Sequence, residues 1–322
     1  MIKRVLIPLD GSELAELVIP HLLRFSVPQR TEFLLMTALS PSIFPSFDNI
    51  IRSHQSEQME IAPTHENIAS ERVHAISQQL KQHGFKVESK FLSGMPADSI
   101  LSLAEQAYVD LIAMSTHGRT GLGLALLGSV ADEVLHNAHP PIFLVPARVE
   151  LQSDSVLRTI LLPLDGTPVA EAALPVAHQF AQDTGAIIHL LRVAELYDTK
   201  HESAIDSAFT SCDDFGEQPV VRQATCYLER IHSRLQLAGI ASRCQVVIGD
   251  PADTIVRIAC ADNVDVIVMS THGRSGVERM VYGSVVSQVI SNTLCPLLLV
   301  RGKVRAEVYE YNGNAVSATF PG

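Results

Sequence analysis

Tryptophan is absent from this chain of 322 residues, and aromatic side chains make up only 5% of it. Positive charge is in deficit. The 24 lysines and arginines face 35 acidic residues, which leaves a formal net charge of −11 and a pI near 5.6. No cluster of Lys and Arg offsets that balance locally, which excludes a nucleic-acid or anionic-membrane partner held by bulk electrostatics. Long apolar runs are lacking as well. None reaches the roughly 18 residues of a membrane span, and the opening MIKRVLIPLDGS enters a strand-like run without a signal-peptide apolar region. A cytoplasmic protein with no membrane contact is the expectation.

Paired cysteines are missing too. Cys212, Cys226, Cys244, Cys260 and Cys295 all fall in the second half and none forms a CxxC pair, so neither a zinc site nor a disulfide framework is indicated. They read as small apolar side chains buried in a reducing compartment, with Cys212 in a polar loop as the exposed exception. What remains is a globular composition, 47% hydrophobic and 18% charged with mean hydropathy +0.19, in a chain long enough for two domains.

The chain is one unit written twice. Adding 155 to a residue number carries Pro8, Asp10 and Gly11 onto Pro163, Asp165 and Gly166, and Gly84 onto Gly239. The same step carries GMPAD at Gly94 onto GDPAD at Gly249, and STHGRTGLGLALLGS (115–129) onto STHGRSGVERMVYGS (270–284). A period this long makes each copy a whole domain and not a solenoid repeat. The expected domains are 1–148 and 156–303, joined by VELQSDS (149–155) and followed by a tail over 304–322. In that tail Asn312-Gly313, between alternating segments, signals a hairpin, with a frayed terminus as the alternative.

Within each unit strand and helix signals alternate. VLIPL (5–9) is a continuous apolar run, as in a strand covered on both faces. Asp10-Gly11-Ser12 breaks it and caps a helix expected over 13–27. TEFLLMTAL, FKVESKFL, DLIAMS and PIFLV supply four further strands. Ala97, Ile100, Leu101 and Ala104 mark one amphipathic helix, and Ala131, Val134, Leu135 and Ala138 another. Strand–helix alternation with right-handed crossovers predicts an α/β fold of two tandem doubly wound parallel five-stranded sheets.

Ligands of such sheets bind beyond the carboxyl ends of the strands, where strand order reverses. Asp10 and Ser115 end the first and fourth strands, as Asp165 and Ser270 do in the copy. Each serine opens a strand, glycine loop and helix N-terminus sequence, a recurring phosphate cradle in which freed N–H groups and the helix dipole favour an anion. Asp10, acceptor-only when ionised, suits a ribose hydroxyl or an adenine amino group. Gly118 and Gly128 admit a close approach of backbone, Ser129 offers donors to phosphate, and Arg119 clamps a terminal phosphate. Asp10-Gly-Ser also reads as a simple helix cap, and His117 as an ordinary loop histidine.

At these residues the chain resembles the universal stress protein family, in a tandem two-domain form. The marks are VLIPLDGS and ILLPLDGT, the GxPA motif, the MSTHGR(T/S)G loop, the Gly-Ser-Val nine spacer residues later, and the closing P-x-x-LV. The resemblance implies a Rossmann-like fold with strand order 3-2-1-4-5 that binds ATP, AMP or ADP, with magnesium where the nucleotide carries it. It implies pairing through fifth strands, met here within one chain as a pseudo-dimer, and a homodimer of whole chains beyond that. The implied contact set is Pro8, Asp10, Thr37, Ser115, His117, Gly118, Arg119, Gly128, Ser129 and Val130 in the first half. In the second it is Pro163, Asp165, Val193, Ser270, His272, Gly273, Arg274, Gly283, Ser284 and Val285. The family places an aliphatic residue at the end of strand two against adenine, a role that Val193 fits and for which the first half offers Thr37. Its ATP-binding branch opens the loop with glycine, where this chain has Ser115 and Ser270. Serine does not take up positive φ easily and adds a side chain.

The functional expectation is an adenine-nucleotide-binding stress regulator. No Walker lysine, paired carboxylates or base beside a nucleophile occurs in either loop, so any ATP hydrolysis is slow. Adenylyl transfer needs a second loop histidine after strand one. A phosphoacceptor receiver needs an Asp ending the third strand. A non-nucleotide interaction module of the same fold is the remaining alternative.

Overall fold

Both halves turn the same signals into the same elements. The computed structural model describes residues 2–39, 65–116, 127–149, 156–194, 219–271 and 283–302, with 65–68 described by their backbone alone. The first half runs β1 (Arg4–Pro8), α1 (Glu13–Glu16), α2 (Val18–Leu23), β2 (Glu32–Leu39), α3 (His65–Gln82), β3 (Lys86–Ser93), α4 (Pro96–Gln106), β4 (Leu111–Ser115), α5 (Ser129–Asn137) and β5 (Ile142–Val145). The second runs β6 (Thr159–Pro163), α6 (Pro168–Glu171), α7 (Leu174–Thr184), β7 (Ile187–Ala194), α8 (Pro219–Leu237), β8 (Ser242–Ile248), α9 (Pro251–Ala261), β9 (Val266–Ser270), α10 (Ser284–Asn292) and β10 (Leu297–Val300).

The continuous apolar runs become central strands, because helices cover both faces of a parallel sheet. Every residue of β4, β5, β9 and β10 is buried. Each half has the expected order 3-2-1-4-5, and all strand pairs within a half are parallel. The two sheets are not separate. β5 and β10 pair antiparallel, with Leu297 opposite Leu144 and Leu299 opposite Ile142. A single ten-stranded sheet results, ordered β3-β2-β1-β4-β5-β10-β9-β6-β7-β8. One apolar layer holds Val5, Ile7, Leu22 and Val73 with their counterparts, and the other holds Leu6, Ile100 and Val134 with theirs. Each such side chain contributes about 1.5–3 kcal/mol by leaving water.

The helix expected over 13–27 is two short helices, α1 and α2, ending at Leu23. Pro20 is the cause: it has no N–H to give the carbonyl of Glu16, and its ring crowds that carbonyl. Pro175 breaks the copy at the same place, between α6 and α7.

The seam between the halves carries its own contacts. Phe25 and its counterpart Phe180 meet edge to face, with centroids 4.6 Å apart and planes at 70°. Beside them Arg24 makes an ion pair with Asp265, their side chains 14% and 10% exposed. Asp265 also accepts the backbone N–H groups of Arg158 (2.8 Å) and Thr159 (2.9 Å). Asp110 repeats that backbone role with Lys3 (2.7 Å) and Arg4 (2.9 Å). The ion pair has no such repeat, because Gln179 stands at the position of Arg24 and donates to Asp183 instead.

The cysteines correct their reading. Cys295 is buried and its thiol donates to the carbonyl of Val264 at 3.1 Å, but Cys226, Cys244 and Cys260 are exposed. They lie on the outer face of α8, on the edge strand β8 and in the last turn of α9, places where sheet and helix geometry turn a side chain outward. Cys212, the expected linker from 150 to 155, the loops at 40–64 and 195–218, and the tail expected over 304–322 lie outside the described residues.

Candidate functional site

In each half the sheet reverses its order beside the first strand. β1 pairs with β2 on one side and β4 on the other, and β6 pairs likewise with β7 and β9. Pro8 and Pro163 end these strands half-buried, and the chain then turns through Asp10 and Asp165.

Both turns are built alike. Asp10 Oδ1 accepts from Ser12 N (2.9 Å) and Ser12 Oγ (2.6 Å), and Ser12 Oγ accepts from Ala15 N at 3.2 Å, which caps α1. Asp165 Oδ1 accepts from Thr167 N (2.9 Å) and Oγ1 (2.6 Å), and Thr167 Oγ1 caps α6 through Ala170 N at 3.2 Å. The hydroxyls of Ser12 and Thr167 are therefore the caps, and the rim carboxylates of Asp10 and Asp165 orient them, with Oδ1 engaged in the turn. Gly11 and Gly166 each sit at φ +80°, a backbone that side chains rarely adopt. At Gly11 a Cβ would also stand 2.8 Å from the Cα of Ala69, so α3 packs directly on the turn.

Across the crevice Ser115 and Ser270 are the last residues of β4 and β9, buried and extended. Neither has positive φ, so the backbone here does not require glycine. The next residues, Thr116 and Thr271, are functional-site features that sequence reasoning missed. Thr116 N donates to Val145 O (2.9 Å), its Oγ1 accepts from Ala147 N (3.1 Å), and its carbonyl accepts from Gly128 N at 2.8 Å. In the copy Thr271 N donates to Val300 O at 2.9 Å, and Gly283 N donates to Thr271 O at 3.0 Å. The glycine loop thus leaves and returns through a single hydrogen bond. The repeated STHGR was the available signal. His117, Gly118, Arg119, His272, Gly273 and Arg274 lie inside that loop and outside the described residues.

The loop returns at a helix start. α5 begins after Gly128 and α10 after Gly283, and among the described residues no side chain caps either helix. Their first N–H groups have no intrahelical acceptor, which suits an anion. Ser129 and Ser284 are exposed there, with Val130 and Val285 half-buried beside them. The halves differ behind β9. A Cβ on Gly302 would come within 2.6 Å of Ser270 Oγ and of Val169 Cγ1, whereas its counterpart Ala147 carries a side chain without difficulty.

Strand register corrects the comparison of Thr37 with Val193. Pro8 lies opposite Met36 and Pro163 opposite Leu191, so the counterpart of Thr37 is Arg192, and that of Val193 is Ala38. Neighbouring residues of a strand face opposite ways, so Thr37 and Val193 lie on different faces of the sheet. Thr37 is buried, and among the described residues its hydroxyl has no partner. Arg192 Nη1 donates to Leu164 O at 3.3 Å, and its guanidinium lies 3.6–3.8 Å from where a Cβ of Gly166 would be. Nearby, Tyr227 donates to Glu171 at 3.0 Å, and burial and then that carboxylate push its phenol up. The same positions in the first half hold an ion pair, Arg72 with Glu16 at 2.6 Å.

Among the described residues no group of three His, Cys, Asp or Glu side chains can hold a metal, and no helix is long and apolar enough to cross a membrane.

Known proteins match this architecture along nearly its whole length. A universal stress protein of Methanocaldococcus jannaschii is 29% identical over 154 residues, 45% of this chain and 95% of that protein. One from Mycolicibacterium smegmatis is 25% identical over 241 residues, 71% of this chain and 76% of that protein. Among solved structures, a universal stress protein from Archaeoglobus fulgidus covers 94% of this chain with a TM-score of 0.69 at 22% identity, a likeness of fold. The universal stress protein family model matches twice, over residues 1–146 and 157–301. With the same turn, the same loop staple and the same helix start built in each match, the chain belongs to the universal stress protein family.

Proposed function

We propose that this chain binds an adenine nucleotide, ATP or the related ADP and AMP, in one or both crevices, and acts as a stress-response regulator and not as a catalyst. The observation that carries the reading is the double occurrence of one crevice. An aspartate turn and a threonine-stapled glycine loop flank the point of sheet reversal, and the loop ends at an uncapped helix N-terminus. The helix N–H groups and Ser129 or Ser284 suit phosphate, while Asp10 or Asp165 suits the ribose or the base edge. Arg119 and Arg274 are the cations assigned to the outermost phosphate. A magnesium ion in this reading comes with the phosphates and water and not in a protein cage. Hydrolysis is slow, since only His117 and His272 are assigned any proton-transfer capacity near the phosphates.

The pairing of β5 with β10 is read as a pseudo-dimer, with a homodimer of whole chains as the next level of assembly and the cytoplasm as its setting. A second reading, an interaction module without nucleotide, draws on Ser115 and Ser270 and on the engagement of Asp10 Oδ1 in its own turn. One experiment separates the two. Protein purified from cells is denatured and the released adenine nucleotide measured, and ATP is then titrated against the wild type and Gly273→Val. Released nucleotide and binding weakened in the variant support the proposal. No nucleotide and no binding by the wild type sink it in favour of the interaction module.

A further inference from the structure

Away from both crevices, the second half sets a buried histidine against a part-exposed arginine and aspartate, where the first half has a buried leucine. His189 lies within β7, 2% exposed, between Leu161 of β6 and Arg243 of β8. The residue at its position in the first half is Leu34, 1% exposed and part of the apolar core. A polar ring in a core site costs free energy unless it is hydrogen-bonded, and here it is. His189 Nδ1 is 3.0 Å from Arg243 Nη2 and 3.3 Å from Asp262 Oδ2, and Arg243 Nη2 donates to Asp262 Oδ2 at 2.7 Å. The Gln245 side chain favours the protonated form of the ring.

Asp262 closes α9 as its C-cap residue, the end at which the helix dipole disfavours a carboxylate. Its cationic partner is therefore structurally significant. That partner, Arg243, sits on β8, an outermost strand of the sheet whose strand neighbour among the described residues is β7. The first half carries Glu88 and Ala107 at the positions of Arg243 and Asp262. Glu88 pairs with Arg4 and Lys90 instead.

We propose that His189, Asp262 and Arg243 form a proton-operated latch, which ties the outer strand β8 to the end of α9 at neutral pH and lets it go on acidification. Neutral His189 presents Nδ1 as an acceptor, so one guanidinium nitrogen serves both ring and carboxylate. A proton on Nδ1 turns that acceptor into a donor. The imidazolium then takes the Asp262 carboxylate and repels Arg243, whose side chain, already 52% exposed, moves to solvent. Burial first, and Arg243 second, hold the imidazole below its ordinary pKa, while Asp262 and Gln245 oppose them, so the exchange occurs on the acid side of neutrality. The groups facing His189 are Arg243 and Gln245 from β8 and Asp262 beyond α9, and Leu161 of β6 adds no charge. On the other face of β8, His232 of α8 bonds Ser242 Oγ at 2.8 Å, and Glu229 stands near Cys244. The device gives β8, at the edge of the sheet formed by the described residues, an acid response that its repeat copy β3 lacks.

The test is amide hydrogen exchange on the full chain, corrected for intrinsic rates, at pH 7.5 and pH 5, with β3 (86–93) as internal reference for β8 (242–248). In the wild type, protection of β8 relative to β3 is expected to fall about fivefold on acidification, the loss of one side-chain tie. His189→Leu is expected to show no such fall, and Arg243→Gln to be low at both pH values. Should the leucine variant not fold, His189→Gln, polar and unable to take a proton, gives the same reading. The proposal is overturned if β8 follows β3 in the wild type. It is equally overturned if the variant lacking His189 keeps the acid response, which would assign that response to His232 or to general loosening.

Discussion

Replacing His21 by valine, the residue its counterpart Val176 already supplies, removes a buried base from α2 and with it a measurable share of acid sensitivity. His21 is 5% exposed and among the described residues its Nδ1 has no partner. Burial, then the charge of Arg24, lower its pKa from 6.5 to about 4. In the unfolded chain the ring takes up a proton below pH 6.5, while the folded chain resists until about pH 4. Between those values the unfolded state binds more protons, so stability falls with falling pH, and it is intact above the unfolded pKa. At 1.36 kcal/mol per unit, moving from pH 7.5 to pH 5 costs about 2 kcal/mol through this residue alone. Urea midpoints at the two pH values, for wild type and His21→Val, measure the difference directly. The variant should lose less stability by about that amount, and at pH 7.5 it should differ little, since a small cavity offsets the removal of an unpaired nitrogen. His178 and His189, also lowered by burial, stay in both proteins and cancel. Equal losses in the two proteins would refute the assignment.

Other substitutions use one half as the template for the other. Arg24→Gln, the residue of Gln179, should cost about 2–3 kcal/mol by leaving the buried Asp265 carboxylate without its cation. A double-mutant cycle in urea with Asp265→Asn should show strong non-additivity, and simple additivity would show that the pair contributes nothing of its own. Met95→Asp should stabilise by about 1 kcal/mol, because α4 starts without a side-chain cap whereas Asp250 caps α9 through Asp253 N at 3.0 Å. Thermal unfolding checks this, and an unchanged or lower midpoint counts against it. Tyr108→Asn should add about 1 kcal/mol, since Tyr108 holds φ 48° at 85% exposure where the copy has Asn263 at the same φ. Loss of stability would mean that the ring makes contacts its exposure does not suggest.

The fixed offset of 155 made much of this legible in advance, and it holds down to single hydrogen bonds. The Asp10 turn and the Asp165 turn match in each of three bonds. What could not be read depended on which way a side chain faces. Thr37 and Val193 look equivalent beside similar apolar runs, but a slip of one residue puts them on opposite faces. The exposed cysteines fail for the same reason, since composition says nothing about orientation. Pro20 was in plain view and still lost to the stronger helical pattern around it. The cluster of His189, Arg243 and Asp262 joins residues that only the fold brings together, and a lone histidine in an apolar run gives no sign of its partners. Thr116 was hidden in another way, as a residue whose role is to close a loop.

Because β5 and β10 run in opposite directions, the carboxyl ends of the strands in the two halves point to opposite rims of the sheet. The two crevices therefore look away from each other. A protein docked over one rim would lie beside one crevice and away from the other. Among the described residues the halves meet at a seam where β5 pairs with β10, Phe25 meets Phe180 and Arg24 holds Asp265.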